Sequence, residues 1–395
     1  LEEAIKNVDV SGSVVYRYNN YDDNGTNPKG DQTENNNYKI GLNLSSKVND
    51  YVKFNSRFIV GGDDGGFTQL DSKKDTADGD GGADVTLTNA YFGFTAIPNT
   101  VVNIGKQGLT TPYTVAVDIN GNEQTGTGIL ALSTFGPITA GAGYFNATNL
   151  DDSGNGASTQ GVTVNHRAAI KNGNDMYVAT VQGDLDFVKL EAWYAGMQQT
   201  FGSYTLAATS NLDLAENAKL GLEARYVNLQ LNDKVLQTIA LTSDDNSMFR
   251  FAVDGKFSIV NARLAYTMTD KDGGLTALDQ DAKNTSLGWF ITSNGIADAD
   301  YFQAALGADI LDNLNFTAHY GNLKADRTDA GRATLSSLSG LGGAELKQQE
   351  VYGQLTYKMS KNLSTYLRYG QFEQKFDGVK DMDQNAGRLQ VAYTF

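Results

Sequence analysis

The chain has 395 residues, of which 40% are hydrophobic, and it carries a formal net charge of −15. It contains no cysteine, which excludes disulfide frameworks, thiolate metal sites and cysteine nucleophiles. The acidity argues against a nucleic-acid partner, because binding to phosphates requires a positive surface. The 43 glycines, 20 tyrosines and 18 phenylalanines favour a hollow β structure over a solid core.

No stretch of about 18 apolar residues occurs in the chain, so no transmembrane helix is expected. The first ten residues, LEEAIKNVDV, contain no signal-peptide core. A precursor whose signal peptide has been removed would look the same, so this start does not indicate a cytosolic protein.

Apolar and polar residues alternate strictly in the first window, Val8–Tyr18, where Val10 and Val14 oppose Ser11 and Arg17. Such alternation is typical of a strand that separates two different environments. Counting this window, 18 candidate strands follow one another along the chain. The others are 37–47, 51–60, 84–95, 100–107, 127–135, 137–147, 175–183, 185–196, 200–213, 217–231, 247–257, 258–270, 298–310, 312–325, 347–359, 361–375 and 386–395. The window 200–213 alternates weakly, and we assign its rival, 160–170, to a loop.

The connections between these windows alternate in length. Short ones, such as VND, AIPN, FGP and QGD, are followed by long polar segments at 19–36, 61–83, 148–174, 271–297 and 326–346. This rhythm is typical of bacterial outer-membrane barrels. The sequence therefore predicts one transmembrane antiparallel β-barrel domain over 1–395, with short periplasmic turns and long extracellular loops. A soluble sandwich or propeller is the alternative, but it does not explain the rhythm.

The last window ends the chain on GRLQVAYTF. We expect Leu389, Val391, Tyr393 and Phe395 to face lipid, with Arg388 and Gln390 towards the interior. Because a closed barrel has no free edge, this strand must pair with the first one.

If the apolar faces meet lipid, the polar faces line a water-filled lumen. Cations dominate these polar faces: Arg17, Lys39, Lys53, Arg57, Lys189, Lys219, Arg225, Arg250, Lys256, Arg263, Arg368 and Arg388. Acids are fewer there: Asp9, Glu191, Glu223, Asp254 and Glu350. The remaining acids must lie in loops. A basic wall facing acidic loops sets up a transverse field that orients solutes and sets ion preference. The alternative for any single cation is that it is merely solvated.

One long loop, 108–128, is less charged than the others and contains Val115, Val117 and Ile119. We expect these apolar residues to pack on the barrel wall, so that the loop folds inward and narrows the channel. Asp118 and Glu123 would then face the basic wall. We predict these two acids, together with Arg17, Lys53, Arg57, Arg225, Arg250, Arg263, Arg368 and Arg388, as pore-lining residues.

Three segments resemble the major outer membrane porin family of Campylobacter and related epsilonproteobacteria: LEEAIKNVDVSG, IGKQ followed by a loop that ends in GTG, and RLQVAYTF. The resemblance implies an 18-stranded barrel in the bacterial outer membrane, in contact with lipid and lipopolysaccharide. It also implies a homotrimer that works as a general diffusion pore for ions and small hydrophilic solutes, with weak cation preference.

The same resemblance implies a structural Ca²⁺ ion near the constriction, held by loop acids. Asp118 matches the family's acid in the inward loop, while Asp152 (or Asp151) and Asp279 fall near the other acid-bearing loops. Carboxylates from separate loops suit Ca²⁺, which takes six to eight oxygen ligands. The segment DGDGGAD, 78–84, is a rival, but it lacks the distal glutamate of an EF-hand loop.

Two other functions remain to be weighed. A barrel enzyme would need a clustered catalytic constellation, and the chain has two histidines, His166 and His319, in no nucleophile motif. Their spacing does not indicate a zinc site either. An adhesin or structural barrel could act through the long loops 61–83 and 271–297, but a barrel of 16–18 strands favours an open pore.

Overall fold

The computed structural model describes residues 7–24, 32–62, 65–71, 82–151, 158–159, 162–163, 170–239, 244–326 and 345–395. Eighteen antiparallel strands close into a barrel in which each strand pairs with its neighbours in the chain, which confirms the predicted fold. Each predicted window falls on one of these strands, including the weakly alternating 200–213.

The strands are named here in chain order. They are β1 Val8–Asp23, β2 Gln32–Asn49, β3 Val52–Gly61, β4 Thr68–Asp71, β5 Asp84–Phe94, β6 Thr100–Gly108, β7 Thr125–Phe135, β8 Ile138–Thr148, β9 Ser158–Thr159, β10 Val162–Thr163, β11 Met176–Leu185, β12 Val188–Met197, β13 Phe201–Ala215, β14 Ala218–Leu231, β15 Asp245–Phe257, β16 Val260–Thr269, β17 Ala299–Leu311, β18 Leu314–Asp326, β19 Glu345–Lys358, β20 Leu363–Phe376 and β21 Val379–Thr394.

Three short strands lie outside the barrel ladder proper. β4 adds to the edge of β2, and β9 pairs only with β10. Most of the rival segment 160–170 lies outside the described residues. A seven-residue helix, α1, spans Asp233–Ile239. Within the described ranges, no helix is long and apolar enough to cross a membrane.

The alternation that predicts the strands also sets their two faces. In β16, Leu264, Tyr266 and Met268 point outward and are 42–54% exposed, whereas Ala265 and Thr267 point inward and are almost fully buried. A membrane-spanning barrel requires this arrangement, because lipid replaces water on the outer face and the closed ladder pairs every backbone group.

Aromatic side chains form bands at both ends of the outer face. At the short-turn rim, Phe135, Phe187 and Phe257 are 64–68% exposed. Nearer the long-loop rim, the ring of Tyr144 packs beside that of Tyr177, with 5.3 Å between their centroids. Such bands are the interfacial girdles of outer-membrane barrels.

One short turn differs from its predicted place. The sequence QGD, 182–184, lies within β11, and the turn falls at Asp186–Phe187. Asp186 has a φ of 52°, in the left-handed region that Asp and Asn enter more readily than most residues. The turn therefore forms where a residue tolerates this conformation, and β11 runs two residues past the glycine.

The first and last strands form the predicted seam. β1 pairs with β21 from Ser13↔Thr394 to Asp23↔Gln384, and Gly12 exchanges two backbone hydrogen bonds with Phe395. A Cβ on Gly12 would lie 2.8 Å from the Phe395 ring, so the absence of a side chain there admits the terminal aromatic. Gln390 points inward as expected, while Tyr393 and Phe395 are each 44% exposed.

Two connections fold back into the barrel. We call residues 109–124, between β6 and β7, the first inner loop, and residues 270–298, between β16 and β17, the second inner loop. The first lies within the predicted segment 108–128, whose ends belong to β6 and β7. The sequence predicts one inward loop, and the structure has a second.

Candidate functional site: the lumen and its inner loops

The first inner loop is tied to the wall by a buried ion pair. The Arg57 guanidinium meets the Glu123 carboxylate through two parallel contacts, Nη2 to Oε1 at 2.6 Å and Nε to Oε2 at 2.8 Å. Glu123 is completely buried. Two-point pairing of this kind fixes direction as well as distance.

Lys39 of β2 adds a second tie beside the first. Its ammonium donates to the carbonyl oxygens of Asp118 and Gly121, the latter at 3.0 Å, and lies 4.0 Å from the Glu123 carboxylate. Two lumenal cations therefore hold the end of the loop that carries the acids.

The other end of the loop reaches the far side of the barrel. The Thr205 hydroxyl of β13 donates to the Tyr113 hydroxyl at 2.8 Å. In the strand order, β13 lies close to opposite β2 and β3. The first inner loop therefore crosses the lumen instead of lying along one wall.

The apolar anchors of this loop are not the predicted ones. Leu109 and Tyr113 are buried within a cluster of hydrophobic side chains inside the barrel. In contrast, Val117 is 67% exposed and Ile119 is 40% exposed. The expectation that Val117 and Ile119 pack on the wall is wrong, because the ion pair of Glu123 and the ring of Tyr113 already hold the loop. Val115 is half-buried.

The second inner loop is held by strand side chains that bind its backbone. Arg250 of β15 donates to the carbonyl oxygens of Thr285 and Lys283 at 2.6 and 2.9 Å. Glu350 of β19 accepts three backbone N–H groups, from Trp289 at 3.0 Å, Phe290 at 2.8 Å and Ile291 at 3.3 Å.

These contacts overturn one expectation about the long loops. The segment 271–297 was expected to be available as a surface loop, but Leu275, Leu278 and Ile296 are buried in the barrel interior. An adhesive role through this segment loses its basis. Most of the other candidate segment, 61–83, lies outside the described residues.

Several predicted pore-lining arginines are paired with acids from the wall itself. Arg225 lies 3.5 Å from both Glu191 and Glu223, and Arg250 lies 2.7 Å from Glu223. Arg263 meets Asp254 at 2.6 Å in a pair that stays exposed. Their charges are largely balanced before any loop acid is counted.

Three other predicted arginines have no carboxylate partner within the part of the chain that the structure describes. Arg17 donates to Gln390 at 2.8 Å, Arg388 donates to Asn19 at 2.6 Å, and Arg368 donates to Gln354. Arg368 also lies 5.1 Å from the ring of Trp289. Amides and aromatic rings orient these guanidinium groups without cancelling their charge. The predicted Lys53 lies exposed on the lumenal face of β3, which also carries Arg57.

Carboxylates from both inner loops meet in one cluster. Oxygens of Asp118, Asp279 and Asp281 lie within 4.8 Å of one another. Burial, and next the neighbouring Asp281 carboxylate, raise the pKa of Asp118 to about 6. Its Oδ2 atom is buried and accepts no hydrogen bond from the described residues. The cluster thus combines like charges with an unsatisfied acceptor, which a cation would relieve.

The cluster contains two of the three predicted metal ligands. Asp152 lies outside the described residues, and Asp151 does not belong to the cluster of described acids. Most of the rival segment 78–84 also lies outside the described ranges. Asp281 is not among the predicted ligands, although the D-x-D spacing in LDQDAK indicates it. Polarity alone places Glu350 on the lumenal face and does not connect it with the second inner loop.

Comparison with known proteins gives a family and a set of structural neighbours. The family model described as Campylobacter major outer membrane protein matches residues 1–395. A search of curated proteins gave no match. Pseudomonas aeruginosa OpdL is similar in fold, with a TM-score of 0.73 at 15% identity over 99% of both chains. The P. aeruginosa outer membrane protein OpdK has a TM-score of 0.72 at 13% identity, over 98% of this chain and 99% of its own. Acinetobacter baumannii OccAB3 has a TM-score of 0.70 at 14% identity, over 98% of this chain and 99% of its own.

Proposed function

Because this chain belongs to the Campylobacter major outer membrane protein family, we propose that it is a general diffusion porin with weak cation preference. It lies in the outer membrane and forms a channel. In the proposal, ions and small hydrophilic solutes cross passively through the water-filled lumen, and no chemical step is catalysed. Homotrimeric assembly and contact with lipopolysaccharide belong to the same proposal and rest on the family alone.

One observation carries this proposal: a charged loop crosses the lumen of a large closed barrel. The first inner loop brings Glu123 and Asp118 to cations of β2 and β3, while Arg17, Arg368 and Arg388 keep uncancelled charge on other strands. Opposed charges at a narrow passage act on passing ions more strongly than dispersed ones do. The net charge of −15 supports a preference for cations over anions.

Planar lipid bilayers test the channel directly. We expect the reconstituted protein to open in groups of three equal conductance steps. In a salt gradient, the reversal potential should show modest preference for cations. Silent bilayers, or strong anion selectivity, would contradict the proposal.

A structural Ca²⁺ ion at the carboxylate cluster is the second part of the proposal. The residues fit the ion: oxygens bound at about 2.4 Å from Ca²⁺ are at most about 4.8 Å apart, and the oxygens of Asp118, Asp279 and Asp281 lie within 4.8 Å of one another. When bound, the ion would neutralise these charges and join the two inner loops. The same charges are also partly balanced by Lys39, which donates to the Asp118 carbonyl.

Substitution of Asp118 by Asn tests the metal site. We expect the variant to bind Ca²⁺ at least about tenfold more weakly in calorimetry, because an anionic ligand is lost. The thermal stabilisation that Ca²⁺ gives the unaltered protein should fall as well. Asp213→Asn is the control, since that carboxylate is exposed and pairs with Lys219 at 3.5 Å. Unchanged calcium binding in Asp118→Asn would show that the site lies elsewhere.

A further inference from the structure

A cavity of about 630 Å³, lined by both polar and apolar side chains, lies in the lumen against β5–β8, β11 and β12. Its wall carries Leu130 and Leu132 at two successive inward positions of β7, and Trp193 on β12. The interior of an outer-membrane barrel is ordinarily polar. This part of the lumen therefore departs from the pattern that predicts the rest of the wall.

The floor of the cavity contains Gly141 and Thr180. Gly141 of β8 pairs with Leu132 on one side and with Thr180 on the other, and Thr180 pairs in turn with Trp193. A Cβ on Gly141 would come within 2.3 Å of the Leu132 side chain. The leucine thus leans over the glycine, and the strand surface between Leu132 and Trp193 carries only the small residues Gly141 and Thr180.

The first inner loop supplies the opposite side of the cavity and leaves it open. Val117 lines it and is 67% exposed, while Leu130, Leu132 and Trp193 are half-buried. Apolar area that stays in contact with water costs free energy, and a ligand ring that covers it would recover that cost. A cavity of several hundred Å³ is in the range of small-molecule sites.

The charged groups at the rim favour an anion. Lys189 and Lys283 line the cavity, and neither forms an ion pair with the described residues. The acid that lines it, Glu191, is already paired with Arg225 at 3.5 Å. A carboxylate on the ligand would gain a charge-assisted contact from either lysine.

We propose that this cavity is a binding subsite for small solutes that carry one aromatic ring and one carboxylate. The ring lies over Gly141 and Thr180, between Leu132 and Trp193 and beneath Val117, and the carboxylate faces Lys189 or Lys283. The subsite rests on the channel function proposed above, because solute reaches it through the lumen. Solutes of this class are retained during passage, whereas small ions and sugars are not.

Trp193 provides a direct measurement. The chain has two tryptophans, so Trp289→Phe leaves Trp193 as the sole indole fluorophore. We titrate benzoate, acetate and benzyl alcohol into this variant in detergent and follow its fluorescence. We expect saturable quenching by benzoate with a dissociation constant on the order of millimolar, weaker quenching by benzyl alcohol and none by acetate. Calorimetry with benzoate on the unaltered chain provides a second measurement.

Matched variants distinguish the contribution of the ligand's aromatic ring to binding from that of its carboxylate. Val117→Ser should weaken benzoate binding roughly fivefold, and Ile119→Ser, an exposed position on the same loop that does not line the cavity, should leave it unchanged. Lys189→Gln should weaken benzoate but not benzyl alcohol, with Lys361→Gln in an exposed turn as the charge control.

Two results would overturn the subsite: acetate binding as well as benzoate, or equal effects of Val117→Ser and Ile119→Ser. These measurements need no ion current. Bilayers that conduct without benzoate binding would therefore refute the subsite alone. Silent bilayers together with benzoate binding would refute the channel and leave the subsite standing.

Discussion

The two inner loops are held in the same lumen by opposite arrangements of charge. In the first, the loop supplies the carboxylate of Glu123, which forms an ion pair with Arg57 of the wall. In the second, the wall supplies the charged side chains of Arg250 and Glu350. They bind backbone carbonyl and N–H groups of the loop. Lys39 also binds backbone carbonyl groups of the first loop, but the two-point ion pair depends on one residue of the loop's own sequence. The contacts of Arg250 and Glu350 to backbone groups remain when side chains of the second loop change.

The carboxylate cluster connects these two arrangements. Asp118 comes from the first inner loop, and Asp279 and Asp281 come from the second. Asn120 of the first loop also donates to the Asp281 carboxylate at 3.1 Å. Backbone hydrogen bonds join the loops as well, because the N–H groups of Leu278 and Asn284 donate to the carbonyl oxygens of Tyr113 and Pro112, each at 2.9 Å. The loops therefore meet inside the lumen at several points.

The largest effect is expected from the side-chain anchor. Arg57→Met leaves the Glu123 carboxylate buried without its partner, which costs about 3–5 kcal/mol for a buried ion pair. Hydrogen exchange should show loss of protection in residues 109–124, with residues 289–291, whose N–H groups bind Glu350, much less affected. The double variant Arg57→Met with Glu123→Leu removes the uncompensated charge and should recover much of the loss. Equal loss of protection in both loops would contradict the proposal that Arg57 anchors mainly the first inner loop.

A smaller effect is expected from the backbone anchor. Glu350→Gln keeps one acceptor oxygen but turns an amide donor towards N–H groups of the second inner loop. Leaving buried donors unsatisfied costs about 1–3 kcal/mol. Protection should fall at Trp289, Phe290 and Ile291, and residues 109–124 should keep theirs.

The matched control for Glu350→Gln is Glu373→Gln. Glu373 lies on β20 and pairs with Lys375 and Lys380 without touching either loop. If both substitutions had the same effect on the second inner loop, Glu350 would not be its anchor.

The contrast between the loops also explains what the sequence can predict. Strand positions follow from local alternation, so all 18 windows fall on barrel strands. The inward fold of residues 108–128 is predicted from the apolar residues of this loop. Val117 and Ile119 do not pack on the wall, but the loop does fold inward and Glu123 does face Arg57. The contacts of Arg250 and Glu350 with the second inner loop cannot be predicted this way, because they bind backbone groups that every residue carries. The buried Leu275 and Leu278 are too few and too widely spaced among polar residues to predict the anchoring of this loop.

The lumenal leucines show a second limit. The polarity of a residue predicts whether it points inward or outward. This prediction is correct for Arg57 and Arg225, whose partners are also charged. It fails at Leu130 and Leu132, where both faces of β7 are apolar and alternation gives no direction. Their orientation depends on the strand register and on the glycines of β8, which are properties of the paired sheet and not of one strand.

The smallest effect is expected at an ion pair that holds no loop. Arg263 and Asp254 meet at 2.6 Å, with 41% and 51% of their side chains exposed. Exposed pairs contribute about 0–1 kcal/mol, so Arg263→Gln should leave hydrogen exchange in both inner loops unchanged. Removing one lumenal positive charge should still move the reversal potential in a salt gradient slightly towards cations.

This substitution therefore separates the electrostatics of the pore from the anchoring of its loops. A changed reversal potential with both loops intact would mean that lumenal charge acts on ions directly. If the Arg263→Gln variant instead loosened either loop, the anchors would extend beyond Lys39, Arg57, Arg250 and Glu350. The charges of the lumen would then act as one coupled network instead of a few local anchors.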